Sequence, residues 1–556
     1  MTIGTATTEP TFNAGFSSDL WRRVLPARGV KPALAWLGIT AFCAAFAPLL
    51  ANGHPLLLRE IAPHSGTRAF SSPFLMSLSR ADWLVLIWVG IGCVIWCRPG
   101  RAYTHARLEL LLAVGVHLMV FHFGLAALMT LCEALDVGHG PGAVRGLSTI
   151  GAGALATAAF VMLPAMPSRV GRAAVSLGLT GACVIVAAMT WSRPPQHFPY
   201  RQLEREGRIA AVYTLAPWSP AQREDDRNAS FLPPGSTSDQ ALARAAIAGL
   251  DPARALDADA RDAIQDRIRE LPLDSDVQQR LSAAVERAAT QAPAGVPTTI
   301  ASVHGTLARE LADSGPRHLL GTDGYGQDVL SQIVHASRLS LTIGLISTGI
   351  AVAIGVFLGA LMGYFGGWVD LILSRVVEVF MAIPLLFLLI VIAGVLPDRS
   401  TYAMMAVIGC VTWPGAARYT RAEFLKLREQ EFVQAARAAG LPAQRIVFRH
   451  MLPCGVAPVL VDASFAVAAA ILAEAVLSFL GLGPPDQPSW GRLLAGATGV
   501  GSGFAWWLGL FPGILIFLTV LSYNTLGEAL RAALDPRVST PGAASRSVSE
   551  VPPSPA

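Results

Sequence analysis

Glu431–Pro453 reads EFVQAARAAGLPAQRIVFRHMLP, a charged, helix-forming segment wedged between long apolar runs. Its layout is helix, glycine, helix, proline. Ala435, Ala436, Ala438 and Ala439 give the first helix a flat, small-residue surface. Gly440 can take the left-handed conformation that ends that helix, and Pro442 suits the first turn of the next one. Pro453 sits where the second helix is expected to stop. Two short helices at such an angle make a compact knob, shaped to sit in a cleft on another protein. The plain alternative is an ordinary amphipathic hairpin.

The surroundings of this segment are those of a membrane protein. Soluble chains are roughly 45–50% apolar and about 25% charged; this one, of 556 residues, is 53% apolar and 14% charged. A bilayer span needs about 20 apolar residues, and several runs of that length are present. The net charge of +4 therefore says little about nucleic acid. Lys31 and Lys426 are the only lysines, and neither stands in the Gly-Lys-Ser/Thr context of a phosphate-binding loop. The chain is not expected to hydrolyse ATP by such a site. The seven cysteines lie in or beside apolar runs, where Cys acts as a small hydrophobe, and their spacing matches no zinc site.

Arg22, Arg23, Arg28 and Lys31 precede the first apolar run, which reads as an uncleaved anchor with a cytoplasmic tail, residues 1–32. The first span covers 33–53. Residues 54–191 hold an external loop and four further spans, near 82–97, 108–132, 146–166 and 173–191. Arg98, Arg101 and Arg107 fall in one short loop of this region, and Arg169 and Arg172 in another. Both are cytoplasmic if the first span runs outward, in accord with the positive-inside rule. Residues 192–337 are then external, with a Pro-rich start and a helical middle. Thr237 with Gln240 and Ser275 with Gln278 have capping-box spacing. Ile264, Ile268 and Leu271 repeat on one face, as do Val277, Leu281 and Val285. This segment is read as a helical insert packed on the external surface, with a docking surface for another protein as the sharper option. A core at 338–530 adds five spans, near 339–363, 371–396, 402–417, 456–480 and 504–527, with the loop 418–455 facing the cytoplasm. Residues 531–556 have the composition of a disordered cytoplasmic tail.

Four more stretches carry pattern. HLLGTDGYGQDVLS (His318–Ser331) has glycines for tight turns and two aspartates that can cap or pair. GYFGGWVD (Gly363–Asp370) joins two core spans. AEAVLSFLGLG (Ala473–Gly483) and PSWG (Pro488–Gly491) lie in and after the fourth core span. Asp462 and Glu474 sit within or beside one apolar run, where carboxylates are costly and default to functional hypotheses. Each could line a path or make a structural hydrogen bond between helices. His117 and His122 are five apart and do not share a helix face squarely, so no metal site is read there.

These motifs together resemble the permease subunits of ABC importers, in the peptide-importing branch that handles dipeptides, oligopeptides or nickel. The knob is similar to that family's coupling segment, Glu-Ala-Ala, three residues, Gly, nine residues, Ile, one residue, Leu-Pro. Gln434 takes the Glu place, with Glu431 nearby, and His450 the Ile place; Ala435, Ala436, Gly440, Leu452 and Pro453 fall in register. The 318–331 stretch resembles the family's HPLGTDxxGRDVLSR, matching at Gly321, Thr322, Asp323, Gly326 and Asp328, with Gln327 in place of Arg. The resemblance covers the first span and about 316–535.

It implies an all-α polytopic membrane protein: a type I ABC importer permease core of one plus five helices, here carrying four extra transmembrane helices and an external helical insert. It implies a bacterial inner-membrane location with both termini cytoplasmic. The partners implied are ABC ATPase subunits, a second permease, and a periplasmic or lipid-anchored substrate-binding protein. No cofactor is expected on this chain, since ATP and magnesium would sit on the ATPases; no catalytic residue, metal or nucleic acid is expected either. Glu431, Ala435, Ala436, Gly440, Leu441, Leu452 and Pro453 would form the ATPase-coupling loop. Two rivals stand beside this reading. One is an ATP-independent transporter with Asp462 or Glu474 as a proton site; the other is a sensor or scaffold built on a permease core.

Overall fold

In a bilayer every backbone polar group must be satisfied within the protein, so long apolar runs resolve into helices. The computed structural model describes residues 22–61, 70–97, 104–134, 141–162, 169–191, 200–205, 208–220, 230–247, 249–271, 275–290, 298–311, 316–396, 399–485, 487–498 and 504–534. The N-terminal residues before Arg22, the basic loop at Arg98 and Arg101, the Pro-rich start of the insert and the tail after Leu534 lie outside these. The chain divides into two units, residues 1–47 with 218–556, and residues 48–217.

Helix α1 (Val30–Ala45) opens the first unit. It is shorter than the span read from the sequence, because Phe46 leaves helical geometry and Pro48 follows closely. Its indole Trp36 donates to Thr519 Oγ1 at 3.1 Å.

Among its described residues the 48–217 unit holds four long helices, α2 (Arg80–Cys97), α3 (Thr104–Ala134), α4 (Pro141–Met162) and α5 (Arg169–Trp191). Phe121, Leu125, Ala152, Ala156, Phe160 and Cys183 form the centre of their shared core. His117 is fully buried there: its Nδ1 lies 3.1 Å from Ala156 O and its Nε2 3.3 Å from Thr180 Oγ1. His117 thus serves as a helix-bridging polar residue rather than as half of a pair with His122. An antiparallel sheet, β1 (Leu57–Glu60) between β2 (Phe70–Ser71) and β3 (Ile209–Val212), belongs to this unit too. Period-2 patterning over four residues is too short to announce these strands; they are an addition to the helical plan.

Back in the first unit, β4 (Ser236–Thr237) pairs with β5 (Arg317–His318) and closes the ends of the insert. Between them lie α6 (Ser238–Ile247), α7 (Ala258–Glu270), α8 (Ser275–Thr290) and α9 (Ile300–Glu310). Ile264, Ile268, Leu281, Val285, Val303 and Leu307 make their core. Thr237 and Gln240 form a reciprocal capping box, with Thr237 N donating to Gln240 Oε1 and Gln240 N to Thr237 Oγ1. Gln278 instead sends its amide to the carbonyls of Leu271 and Arg269.

The remaining elements are α10 (Val329–Phe365), α11 (Gly367–Ala382), α12 (Leu385–Val395), α13 (Thr401–Arg428), α14 (Glu431–Ala438), α15 (Leu452–Phe479), α16 (Trp490–Gly496) and α17 (Trp506–Leu534). The stretch read as one span over 371–396 is broken: α11 and α12 meet at 85° across Ile383-Pro384. Proline forces its predecessor out of helical geometry, and Ile383 has ψ of 129°. Seven described helices are long and apolar enough to cross a membrane, eight if this bent pair counts as one span. The ten spans of the sequence reading included α1, which is too short by that measure, and α13, which is less apolar and carries Arg418 and Arg421.

Helices α10 and α13 pack along a glycine stripe. Gly355, Gly359 and Gly363 recur every fourth residue on one face of α10. A Cβ on Gly359 would lie 2.5 Å from Ala417 O, and one on Gly355 2.8 Å from Trp413 O. Small residues at this spacing let backbones approach closely where lipid offers no competing hydrophobic gain. Replacing Gly359 by Leu is expected to cost more than the roughly 1–3 kcal/mol of ordinary overpacking, since backbone and not side chain is in the way. Loss of monodisperse protein after detergent extraction is the expected result, with Gly349→Leu, which faces open space, as the control.

Candidate functional site

The knob is built on the ends of the core helices. Helix α14 stops in a Schellman motif: Leu441 N donates to Ala436 O, Gly440 N donates to Arg437 O, and Gly440 has φ of 71°. Leu441 and Ala436 both pack against the buried cluster beneath the knob. Pro442 caps a short turn, Ala443–Arg445, which runs on through a π-helical turn, Ile446–Met451, into α15. Pro453 therefore does not stop the second helix. It occupies the first turn of α15, where its missing N–H costs little, and the wide π turn absorbs the misfit just before it.

Packing divides the knob into two faces. Val433, Ile446, Val447 and Met451 are buried against Phe424 of α13 and Ala360 of α10. Glu431, Phe432, Gln434, Ala435, Ala438, Ala439 and Gly440 are exposed, with Ala436 half-buried between the faces. Leu441, Leu452 and Pro453 are half-buried on the inner side. The motif thus mixes two jobs: Leu441 and Leu452 hold the knob together, while Glu431, Ala435 and Gly440 present a surface. Sequence reasoning passed over Phe432 and Phe448, which are 43% and 54% exposed. It also missed Arg437, whose guanidinium lies 4.9 Å above the Tyr364 ring at the end of α10. Cation–π contacts of this kind are worth about 0.5–1 kcal/mol at exposed sites.

The turn between α10 and α11 braces the same region. Gly366 and Gly367 have φ of 65° and 54°, which Cβ-bearing residues reach only with strain. Asp370 accepts both forks of Arg421 from α13, one of them at 2.7 Å, and a hydrogen bond from Ser374 at 3.2 Å. The knob, this turn and the lower halves of α10 and α13 form one packed block.

At the opposite end of α10, the 318–331 loop spends its polar groups on its own shape. Asp328 is the N-cap of α10, accepting from Ser331 N at 2.8 Å, and its other oxygen lies 2.8 Å from His318 Nδ1. His318 is fully buried and stacks on Trp218 at 4.3 Å. Asp323 accepts from the backbone of Tyr325 and Gln327 and from the Gln332 amide. Thr322 Oγ1 accepts from Leu232 N, and its carbonyl accepts from Trp507. Gly321 and Gly326 have φ of 80° and 73°. Gln327 enters through its main chain, closing the turn on Asp323.

The two intramembrane carboxylates part company. Glu474 is fully buried and accepts from Ser340 at 2.9 Å and Ser478 at 2.7 Å, with Ser489 as a third partner. It ties α15 to α10 and to the start of α16. Directly after it, Gly491 lies against the Ala475 backbone with no room for a Cβ. Asp462 is half-buried on α15 opposite Gly415 of α13, and no hydrogen bond or ion pair reaches it among the described residues. No group of three or more metal-ligating side chains occurs among the described residues.

Two consequences are measurable. Asp328→Ala removes a helix cap, worth about 0.5–2 kcal/mol, and deprives buried His318 of a partner, about 1–3 kcal/mol more; a lower midpoint of thermal unfolding in detergent is expected, larger than for Asp370→Ala. Burial pushes the Asp323 carboxyl above its usual range, against hydrogen bonds from Gln332, Gln327 and Tyr325 and the charge of Arg492. Because the folded chain then holds the proton more tightly than the unfolded one, Asp323 adds stability as pH falls through its raised value, levelling off below the ordinary carboxylate range. The difference in unfolding midpoint between wild type and Asp323→Asn should therefore shift in favour of wild type on acidification.

The comparisons with known proteins fall on this same part of the chain. Residues 355–540 match the family described as binding-protein-dependent transport system inner membrane component. The dipeptide transport system permease protein DppC of Alkalihalophilus pseudofirmus is 39% identical over 222 residues, 40% of this chain and 72% of that protein. A Brucella suis protein named for a peptide transport system permease is 42% identical over 232 residues, 41% of this chain and 76% of its own length. A solved inward-facing structure of the MetNI methionine ABC transporter is 20% identical, covers 37% of this chain and 97% of that one, and superposes with a TM-score of 0.30, too low to carry weight. With a permease core that pairs apolar helices, a shaped loop at the start of α10 and a knob on the helix ends, and with relatives at about 40% identity over most of their length, the chain belongs to the binding-protein-dependent transport inner membrane family: it is a multi-pass permease subunit of an ABC importer.

Proposed function

We propose that this chain is one of two permeases enclosing the pathway of an ATP-driven peptide importer in a bacterial inner membrane, and that its knob at 431–453 docks in an ATPase subunit. The observation that carries this reading is the two-faced knob. Its inner face is buried on α10 and α13, and its outer face offers Phe432, Ala435, Ala438 and Ala439 beside Glu431. A surface of small and aromatic side chains rimmed by charge suits a cleft on a partner. The peptide class rests on the names of the relatives, which are dipeptide and peptide permeases.

The mechanism follows from what the knob is attached to. ATP and magnesium bind on the partner ATPases. When these close, they draw the knob with them. Val433, Ile446, Val447 and Met451 cannot slide on Phe424 without opening a buried apolar contact, so the displacement passes to α10, α13 and α15 together. Arg437 on Tyr364 and Arg421 on Asp370 keep the block from shearing. The pathway then opens toward a loaded substrate-binding protein outside, and hydrolysis returns it to face inward. Both termini lie in the cytoplasm in this arrangement, and the 192–337 segment lies outside, where the binding protein docks. Glu474, enclosed by three serines, is poorly suited to load and release protons, which speaks against the proton-driven alternative.

Gly440→Val tests the coupling role. Nothing lies within 4 Å of a Cβ at that position, so the substitution acts through φ of 71° alone, a strain of about 1–2 kcal/mol that unwinds the Schellman turn. ATP-dependent uptake in membrane vesicles should fall sharply while the amount of chain in the membrane stays normal. Normal uptake by this variant would refute the coupling assignment.

A further inference from the structure

Helix α15 carries two carboxylates and treats them oppositely. Glu474, near the end of α15 that meets α16, is locked by serine hydroxyls. Asp462, ten residues after Leu452, lies about 15 Å along the helix from the knob. It stands inside the apolar stretch Pro458–Phe479, half-exposed, without a hydrogen-bond or ion partner among the described residues. The residue facing it across α13 is Gly415: a Cβ there would sit 3.9 Å from Asp462 Oδ2 and meet nothing else. A glycine leaves the approach to the carboxylate open. Pro414, just before it, interrupts the helical hydrogen-bond ladder at the same level. One turn further along α13, Arg418 is exposed and reaches the sulfur of Met381, beside the α11–α12 break, but no carboxylate among the described residues. The Asp462 carboxylate and the Arg418 guanidinium are therefore not paired with each other.

A carboxylate in an apolar span costs free energy unless a cation answers it. We propose that Asp462 is the point on the knob-side half of the transport path that receives the ammonium group of the passing peptide, with Gly415 keeping access to it clear. This deepens the peptide-importer reading and rests on it. Asp462 holds the cation transiently, through a charge-assisted hydrogen bond that forms as the substrate sheds water and breaks as it reaches the cytoplasmic water.

The test uses the whole importer, this chain with its ATPases, second permease and binding protein, in proteoliposomes, with radiolabelled alanyl-alanine as the probe. The binding protein governs the concentration dependence of uptake, whereas a path residue governs the maximal rate. Asp462→Asn should lower Vmax at least about tenfold with KM within about twofold, and Asp462→Glu should restore most of the rate. Gly415→Leu, which keeps the charge but fills its approach, should lower Vmax in the same way. Wild-type Vmax in Asp462→Asn overturns the inference and leaves the importer reading intact. Loss of the second permease from purified Asp462→Asn complexes, but not from Asp462→Glu, also overturns it, because the carboxylate would then answer a basic side chain of that partner. Absence of ATP-dependent alanyl-alanine uptake by the wild-type complex overturns the peptide reading itself, and this inference with it.

Discussion

Close contact between the backbones of α10 and α13 is the constraint on which the rest of the core depends. Two helices in a bilayer gain little by hiding apolar surface from lipid, so they associate through fit. Gly355, Gly359 and Gly363 supply that fit by removing side chains where α13 presents Trp413, Ala417 and Arg421 backbone. Once the two helices are in register, Arg421 lies opposite Asp370 and Phe424 lies under the knob. The same register carries Tyr364 to the place where Arg437 can cover its ring. A shift of one turn would break all of these at once.

The polar groups that shape the 318–331 loop and tie α15 to α10 are turned on one another. His318 Nδ1, Asp328, Asp323 and Thr322 are engaged in building the 318–331 loop and starting α10. Glu474 is equally enclosed. The outer face of the knob and the wall near Asp462 have no such closure among the described residues. Buried polar groups with full partners rigidify, and exposed ones invite company.

Much of this was legible in the sequence, for identifiable reasons. Gly440 ending a helix, the Thr237–Gln240 box, and the apolar faces of α7 and α8 are local effects with short-range signals, and each is present in the fold. The knob was legible because its glycine and prolines punctuate a charged stretch between apolar ones. What escaped depends on partners distant in the chain. Pro453 reads as a stop, yet a π turn upstream lets it begin a helix. Pro384 sits inside an apolar run that hydropathy reads as continuous, although it bends the chain by 85°. The glycine stripe was visible as a spacing of four but has no meaning until α13 is known to lie against it. Asp462 and Glu474 look alike as letters; Ser340, more than a hundred residues away, makes the difference.

The continuity of the knob with α15 has a mechanical corollary. From Ile446 to Glu474 the chain is helical throughout, about 28 residues or roughly 42 Å at 1.5 Å per residue. A rod of that length magnifies rotation: a tilt of about 5° at the knob sweeps the far end through about 4 Å, comparable to the width of a water-filled gap closing. A displacement of the knob is thus magnified at the far end of α15, with Pro458 the point along the helix where it can bend. The π turn sits at the near end of this lever, where a change in winding would turn the whole shaft about its axis.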